Sequence, residues 1–105
     1  MPFRISITHE AELQLQAFSV REQRIVETAV NVRLREQPTI PTNAIKRLRP
    51  NPLAEFELRI GQFRVLYNVE VEESEVILLI VGRKKGNSLI VKGEVFHGHQ
   101  SDSAE

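Results

Sequence analysis

Residues 55–67 read EFELRIGQFRVLY, and the alternation inside this stretch decides the fold. Phe56, Leu58 and Ile60 alternate with Glu55, Glu57 and Arg59, the period of two expected of a half-buried strand. A second run follows, with Phe63, Val65, Tyr67 and Val69 on one parity and Arg64, Leu66 and Asn68 on the other. Only Gly61 and Gln62 separate the runs, and Gly in the first central position suits a two-residue type II′ hairpin turn. That register sets Ile60 against Phe63, Leu58 against Val65 and Phe56 against Tyr67, an apolar ladder on one face. The other face sets Arg59 opposite Arg64, an unfavourable pair unless an anion neutralises it. Neighbouring Glu57 is one such anion; a bound phosphate is another.

Working outward, the 105-residue length predicts one domain with a single core, over residues 1–100, and a disordered tail over 101–105. A hydrophobic content of 41% with 27% charged residues is ordinary for a soluble globular protein. The absence of Cys excludes disulfides, Cys-based metal sites and Cys nucleophiles. No apolar run approaches the ~18 residues of a membrane span, and MPFRISITHE lacks a signal-peptide apolar region, so the expectation is a cytoplasmic protein without membrane contact. The formal net charge is zero, but the charges are segregated. Lys46, Arg47, Arg49, Arg59 and Arg64 cluster mid-chain, Arg83, Lys84, Lys85 and Lys92 come later, and Glu70, Glu72, Glu73 and Glu75 form an acidic turn between them.

Residues 3–8 alternate through Phe3, Ile5 and Ile7 and read as a first strand. A short helix is expected over His9–Ala17. Ser19 and Glu22 have the spacing of a capping box, which opens a helix from Val20 to about Glu36. Ile25, Val26, Ala29, Val30, Val32 and Leu34 give it a wide apolar face, and Pro38 stops it. Residues 37–54 form a long connection whose prolines exclude regular structure from most of it. Its KRLRPNP segment reads either as a solvated basic loop or as part of a binding surface. Val76–Val81 reads as a central strand buried on both faces and ended by Gly82. Leu89–Phe96 reads as extended chain with a turn at Lys92–Gly93. The fold class is therefore α+β: strand, helical hairpin, antiparallel three-strand meander and an extended C-terminal segment.

This order resembles the RelE/ParE superfamily of bacterial toxins of type II toxin–antitoxin systems, and the resemblance covers about residues 3–96. Ser19–Gln23 looks like the start of the second helix of RelE proteins. Leu58-Arg59 followed by Gly61-Gln62-Phe63-Arg64-Val65-Leu66-Tyr67 resembles the family hairpin LR…G-[YF]-R-[VL]-x-Y, and Val81-Gly82-Arg83-Lys84 resembles V-G-[HKR]-[RK]. The stretch LRPNPLAEFELRIGQFRV looks closest to a RelE-like branch common in cyanobacteria. RelE-type members are ribosome-dependent mRNA endonucleases (mRNA interferases), whereas ParE-type members poison DNA gyrase without cutting RNA. The resemblance implies a cognate antitoxin, ribosome and mRNA (or gyrase) as partners, with operator DNA reached only through the antitoxin.

In RNA cleavage a ribose 2′-OH attacks the adjacent phosphate, and guanidinium groups suit the charge that develops on its oxygens. By resemblance Arg64 falls on the family's phosphate-contacting hairpin arginine. Lys84 falls on the basic position after V-G, with Arg83 beside it, and these three are the catalytic candidates. Lys46, Arg47, Arg49, Arg59 and Lys85 are candidate substrate-binding residues. Glu55 and Glu57 stand where RelE nucleases often carry lysines, and read either as a general base or as surface charges that quench Arg59 and Arg64. The late Tyr of the family is missing, and Tyr67 reads as core. His97 and His99 are a weak metal signal without a third ligand, so no metal and no cofactor is expected. Three readings remain: an mRNA endonuclease, a gyrase inhibitor, and a degenerate toxin fold serving as an antitoxin-bound regulatory module.

Overall fold

The computed structural model describes residues 2–96. His97, His99 and the tail at 101–105 lie outside the described residues. The chain runs β1 (Arg4–Ile7), α1 (His9–Gln16), α2 (Val20–Leu34), β2 (Ile45–Arg47), β3 (Phe56–Ile60), β4 (Phe63–Glu70), β5 (Glu75–Lys85), β6 (Ser88–Val91) and β7 (Glu94–Val95). The strands form one sheet in the order β2-β3-β4-β5-β6-β7, and β1 lies parallel to the first half of β5. The α+β architecture and the β3–β4–β5 meander are as the alternation predicts.

The β3–β4 register pairs Phe56 with Tyr67, Leu58 with Val65, Arg59 with Arg64 and Ile60 with Phe63. Gly61 has φ +57° while Gln62 stays at negative φ, the pattern of a type II′ turn. Both helices start where polar side chains meet their orphan N–H groups. Thr8 accepts from Ala11 N at 3.1 Å, and Ser19 with Glu22 completes the expected capping box, at 3.1 Å in each direction. α2 stops at Leu34 rather than near Glu36, because Arg35 turns to the sheet. Its carbonyl accepts from Phe3 N at 2.7 Å and its guanidinium donates to Phe3 O at 3.1 Å.

The helices cover one face of the sheet. Ala11, Leu15, Val26, Val30 and Leu34 pack there on Phe56, Leu58, Val65, Tyr67, Val76, Leu78 and Val81. Tyr67 is fully buried, and its hydroxyl donates to Pro38 O at 2.6 Å, which anchors the chain after α2. The opposite face carries a smaller core of Leu48, Ala54, Leu66, Ile80, Leu89 and Val91. The long connection is thus not free of structure. Ile45–Arg47 pairs with β3, and Leu48 and Ala54 fold the 48–54 loop back onto the second face. Asn51 organises that loop, accepting from Leu53 N at 2.8 Å and donating to Arg49 O at 2.7 Å. Leu89 and Val91 are buried in the same core, whereas Val20, Ile25 and Val32 of α2 stay exposed.

β5 departs from simple alternation. Leu66 stands opposite Ile80 but Tyr67 stands opposite Leu78, so Leu79 is an extra, bulged residue. Val76 and Leu78 face the helices before the bulge, and Val81 does so after it. The strand also runs on past Gly82 to Lys85, beyond the expected end at Val81. Gly82 is required there by close approach, since a Cβ would lie 2.5 Å from Ile90 O where β6 crosses. Between β1, which pairs through Leu78, and β6, which pairs from Arg83, the edge of β5 has no strand neighbour. Buried Gln14 of α1 fills the gap, and its Oε1 accepts from Val81 N at 2.8 Å.

Candidate nucleic-acid interface

Strand pairing gathers five of the charged candidates on the second face. Lys46 of β2 is opposite Glu57 of β3, Arg59 is opposite Arg64 of β4, and Arg64 is opposite Gly82 of β5. Lys84 lies one residue pair further on, its N–H donating to Gln62 O at 2.7 Å in the hairpin turn. Gly82 puts no side chain between Arg64 and Lys84, and Ile90 O and the Val91 side chain of β6 close over that position instead.

Arg64 is held by backbone. Its Nη1 donates to Gly61 O at 2.7 Å and to Phe63 O at 2.8 Å, so the hairpin turn clamps the guanidinium in place. Its Nε is buried and is the one buried side-chain polar atom without a hydrogen-bond partner among the described residues. An unmet donor of this kind costs about 1–3 kcal/mol, more when charged. Burial is the main influence pulling the Arg64 guanidinium below its ordinary value; Glu57 opposes the shift and Arg59 adds to it. An anion near this half-buried guanidinium would supply a counter-charge and so oppose the shift that burial causes.

Glu57 is only 5% exposed, and its Oε1 accepts from Arg59 Nε at 3.2 Å. The opposed arginines therefore do have a protein anion between them. Glu55 stands on the same parity but at the far end of the strand, where its Oε1 accepts from Val69 N at 3.1 Å. It closes the end of the β3–β4 ladder and does not join Glu57 at Arg64.

Other candidates point elsewhere. The bulge at Leu79 shifts the parity of β5, so that Lys84 shares a face with Arg64 and Arg83 does not. Arg83 lies on the helix side, 3.2 Å from Glu22 Oε2, with its guanidinium carbon 5.0 Å from the Phe18 ring centroid and 5.1 Å from that of Phe63. Arg47 also faces the helix side, 5.3 Å over the Phe56 ring. Lys85 is exposed at the end of β5, and Arg49 is exposed at the tip of the 48–54 loop. No group of three or more potential metal-ligating side chains occurs among the described residues, and no helix among them is long and apolar enough to cross a membrane.

No protein-family model and no curated protein matches the chain. Solved structures do. The toxin–antitoxin complex RelBE2 of Mycobacterium tuberculosis contains a chain 25% identical to this one, with a TM-score of 0.67, over 80% of this chain and 100% of that one. The archaeal RelE–RelB complex of Pyrococcus horikoshii gives 18% identity and a TM-score of 0.65, over 84% of this chain and 100% of that one. A mutant of the E. coli toxin RelE in the free state gives 23% identity and a TM-score of 0.62, over 79% and 84%. In element order and sheet, this chain has a RelE-like fold, similar to the chains of these solved structures.

Proposed function

We propose that the chain is the toxin of a type II toxin–antitoxin module and an mRNA endonuclease that acts on translating ribosomes in the cytoplasm. The observation that carries this reading is the clamped Arg64 guanidinium, with its unpartnered buried Nε–H, on one face with Lys84, Arg59 and Lys46. In the reaction the 2′-oxygen of a ribose bonds to the adjacent phosphorus and the bond to the 5′-oxygen breaks. The products are a 2′,3′-cyclic phosphate and a 5′-hydroxyl. Arg64 binds the phosphoryl oxygens, where negative charge grows, and Lys84 stabilises the departing 5′-oxygen. Glu57 is the carboxylate at this face and the candidate to take the 2′-OH proton. The cognate antitoxin is the partner that silences the protein, as the RelBE complexes of like fold suggest.

Glu57 also favours a second reading. A buried carboxylate beside Arg59 reduces the positive charge offered to RNA, which suits a binding protein that inhibits DNA gyrase without cutting RNA. Purified protein added to a translation reaction, with mapping of the mRNA 5′ ends, separates the two. The nuclease reading expects cuts that depend on ribosomes. Intact mRNA together with inhibition of DNA supercoiling overturns it.

A further inference from the structure

Arg83, Glu22, Phe18 and Phe63 form one cluster on the helix side of the sheet, directly behind Arg64 and Lys84. Both oxygens of Glu22 are in use: Oε1 accepts from Ser19 N in the capping box at 3.1 Å, and Oε2 holds Arg83 Nη2 at 3.2 Å. The Phe18 and Phe63 rings meet at 5.2 Å, and the Arg83 guanidinium lies about equally far from both. Set against two rings that touch each other and paired with a carboxylate, a guanidinium is an effective rigid joint. The joint ties the start of α2 to the hairpin tip through Phe63.

The hairpin tip is also the backbone that positions the opposite face. Gly61 O and Phe63 O hold the Arg64 guanidinium, and Gln62 O holds the Lys84 N–H. A two-residue turn with glycine at its first position has little stiffness of its own. Its stiffness must come from what packs against it, and Phe63 is the ring of the tip that is packed against the helices.

We propose that Glu22 and Arg83 are positioning residues, a brace on the helix side that fixes the hairpin tip and thereby the spacing of Arg64 and Lys84 on the ligand side. The kinetic part of this inference rests on the nuclease reading; the mechanical part does not. Two variants test it. Glu22→Gln keeps an oxygen for the capping box and removes the charge that holds Arg83, and Arg83→Gln removes the joint itself. Hydrogen exchange of the Lys84 amide reports the tip directly, and the Val81 amide, bonded to Gln14, serves as the internal reference. Both variants should speed Lys84 exchange by ~10-fold or more while leaving Val81 unchanged. On translating ribosomes, turnover should fall ~10- to 100-fold with KM nearly constant, the mark of misplaced rather than lost groups. Arg83→Lys, which keeps a cation over the rings, should recover part of both effects. Unchanged Lys84 exchange in both variants overturns the brace, whatever the activity. Loss of turnover in Arg83→Gln with full turnover in Glu22→Gln also overturns it, because Arg83 then acts on substrate itself. Faster exchange in a protein whose wild type cuts no mRNA upholds the brace and sinks the nuclease reading instead.

Discussion

Glu55 and Glu57 share one parity, Glu55 just before β3 and Glu57 within it, and do different work. Glu55 takes the N–H of Val69 and closes a ladder, while Glu57 is buried against Arg59. Alternation alone places both beside the arginines, and only the length of the strand separates them. Replacing Glu57 therefore decides its role. If Glu57 is an electrostatic partner, Glu57→Gln should bind RNA more tightly, with steeper salt dependence, and cut at least as fast. If it is the base, binding should rise while cleavage drops by ~10²–10⁴. Arg64→Ala should lower cleavage about a hundredfold or more, because a phosphate contact made to growing charge is removed. A matching thermal melt would show the fold intact, and undiminished cleavage would sink the assignment. Glu22 yields a pH prediction. The Ser19 backbone N–H, then Arg83, hold its carboxyl below the ordinary value of 4.5. A depressed folded pKa adds stability above the unfolded value and loses it as pH falls through the folded one. Glu22→Gln should thus be less stable than wild type near neutral pH, and the difference should shrink in acid titration followed by circular dichroism.

At the scale of elements, period-two alternation made β3, β4 and their turn legible, because each strand buries one parity against the helices. The capping box marked the start of α2 for an equally local reason. β2 was not legible: three residues among prolines carry no period, and only pairing with β3 makes them a strand. The bulge at Leu79 was not legible either, since the run Val76–Val81 is apolar on both parities. Its effect reaches the site, for it turns Lys84 rather than Arg83 toward Arg64. Gln14 gave no signal within α1, because its partner is 67 residues away. That bond is open to test. Gln14→Leu leaves the buried Val81 N–H without an acceptor, which should cost about 1–3 kcal/mol in chemical denaturation. A stability equal to wild type would mean that the gap between β1 and β6 closes in another way.

For the whole molecule, composition showed a formal charge of zero, and the fold shows where the opposite charges go. Glu70, Glu72, Glu73 and Glu75 crowd the turn between β4 and β5, and Lys84, Lys85, Arg59 and Arg64 gather at the other end of the same strands. β5 alone spans ten residue steps, roughly 33 Å at strand rise. The protein is in effect a macroscopic dipole laid along its central hairpin. Such a particle has no net drift in a uniform field, yet it turns in one, and it orients as it approaches a polyanion. At neutral pH and low salt it should be retarded on both cation and anion exchangers, each capturing the opposite end. Elution in the void from the two resins would show the ends to be too well screened for the separation to matter. Changing Glu72 and Glu73 to Gln should abolish retention on the anion exchanger alone, leaving a molecule that only one pole can steer.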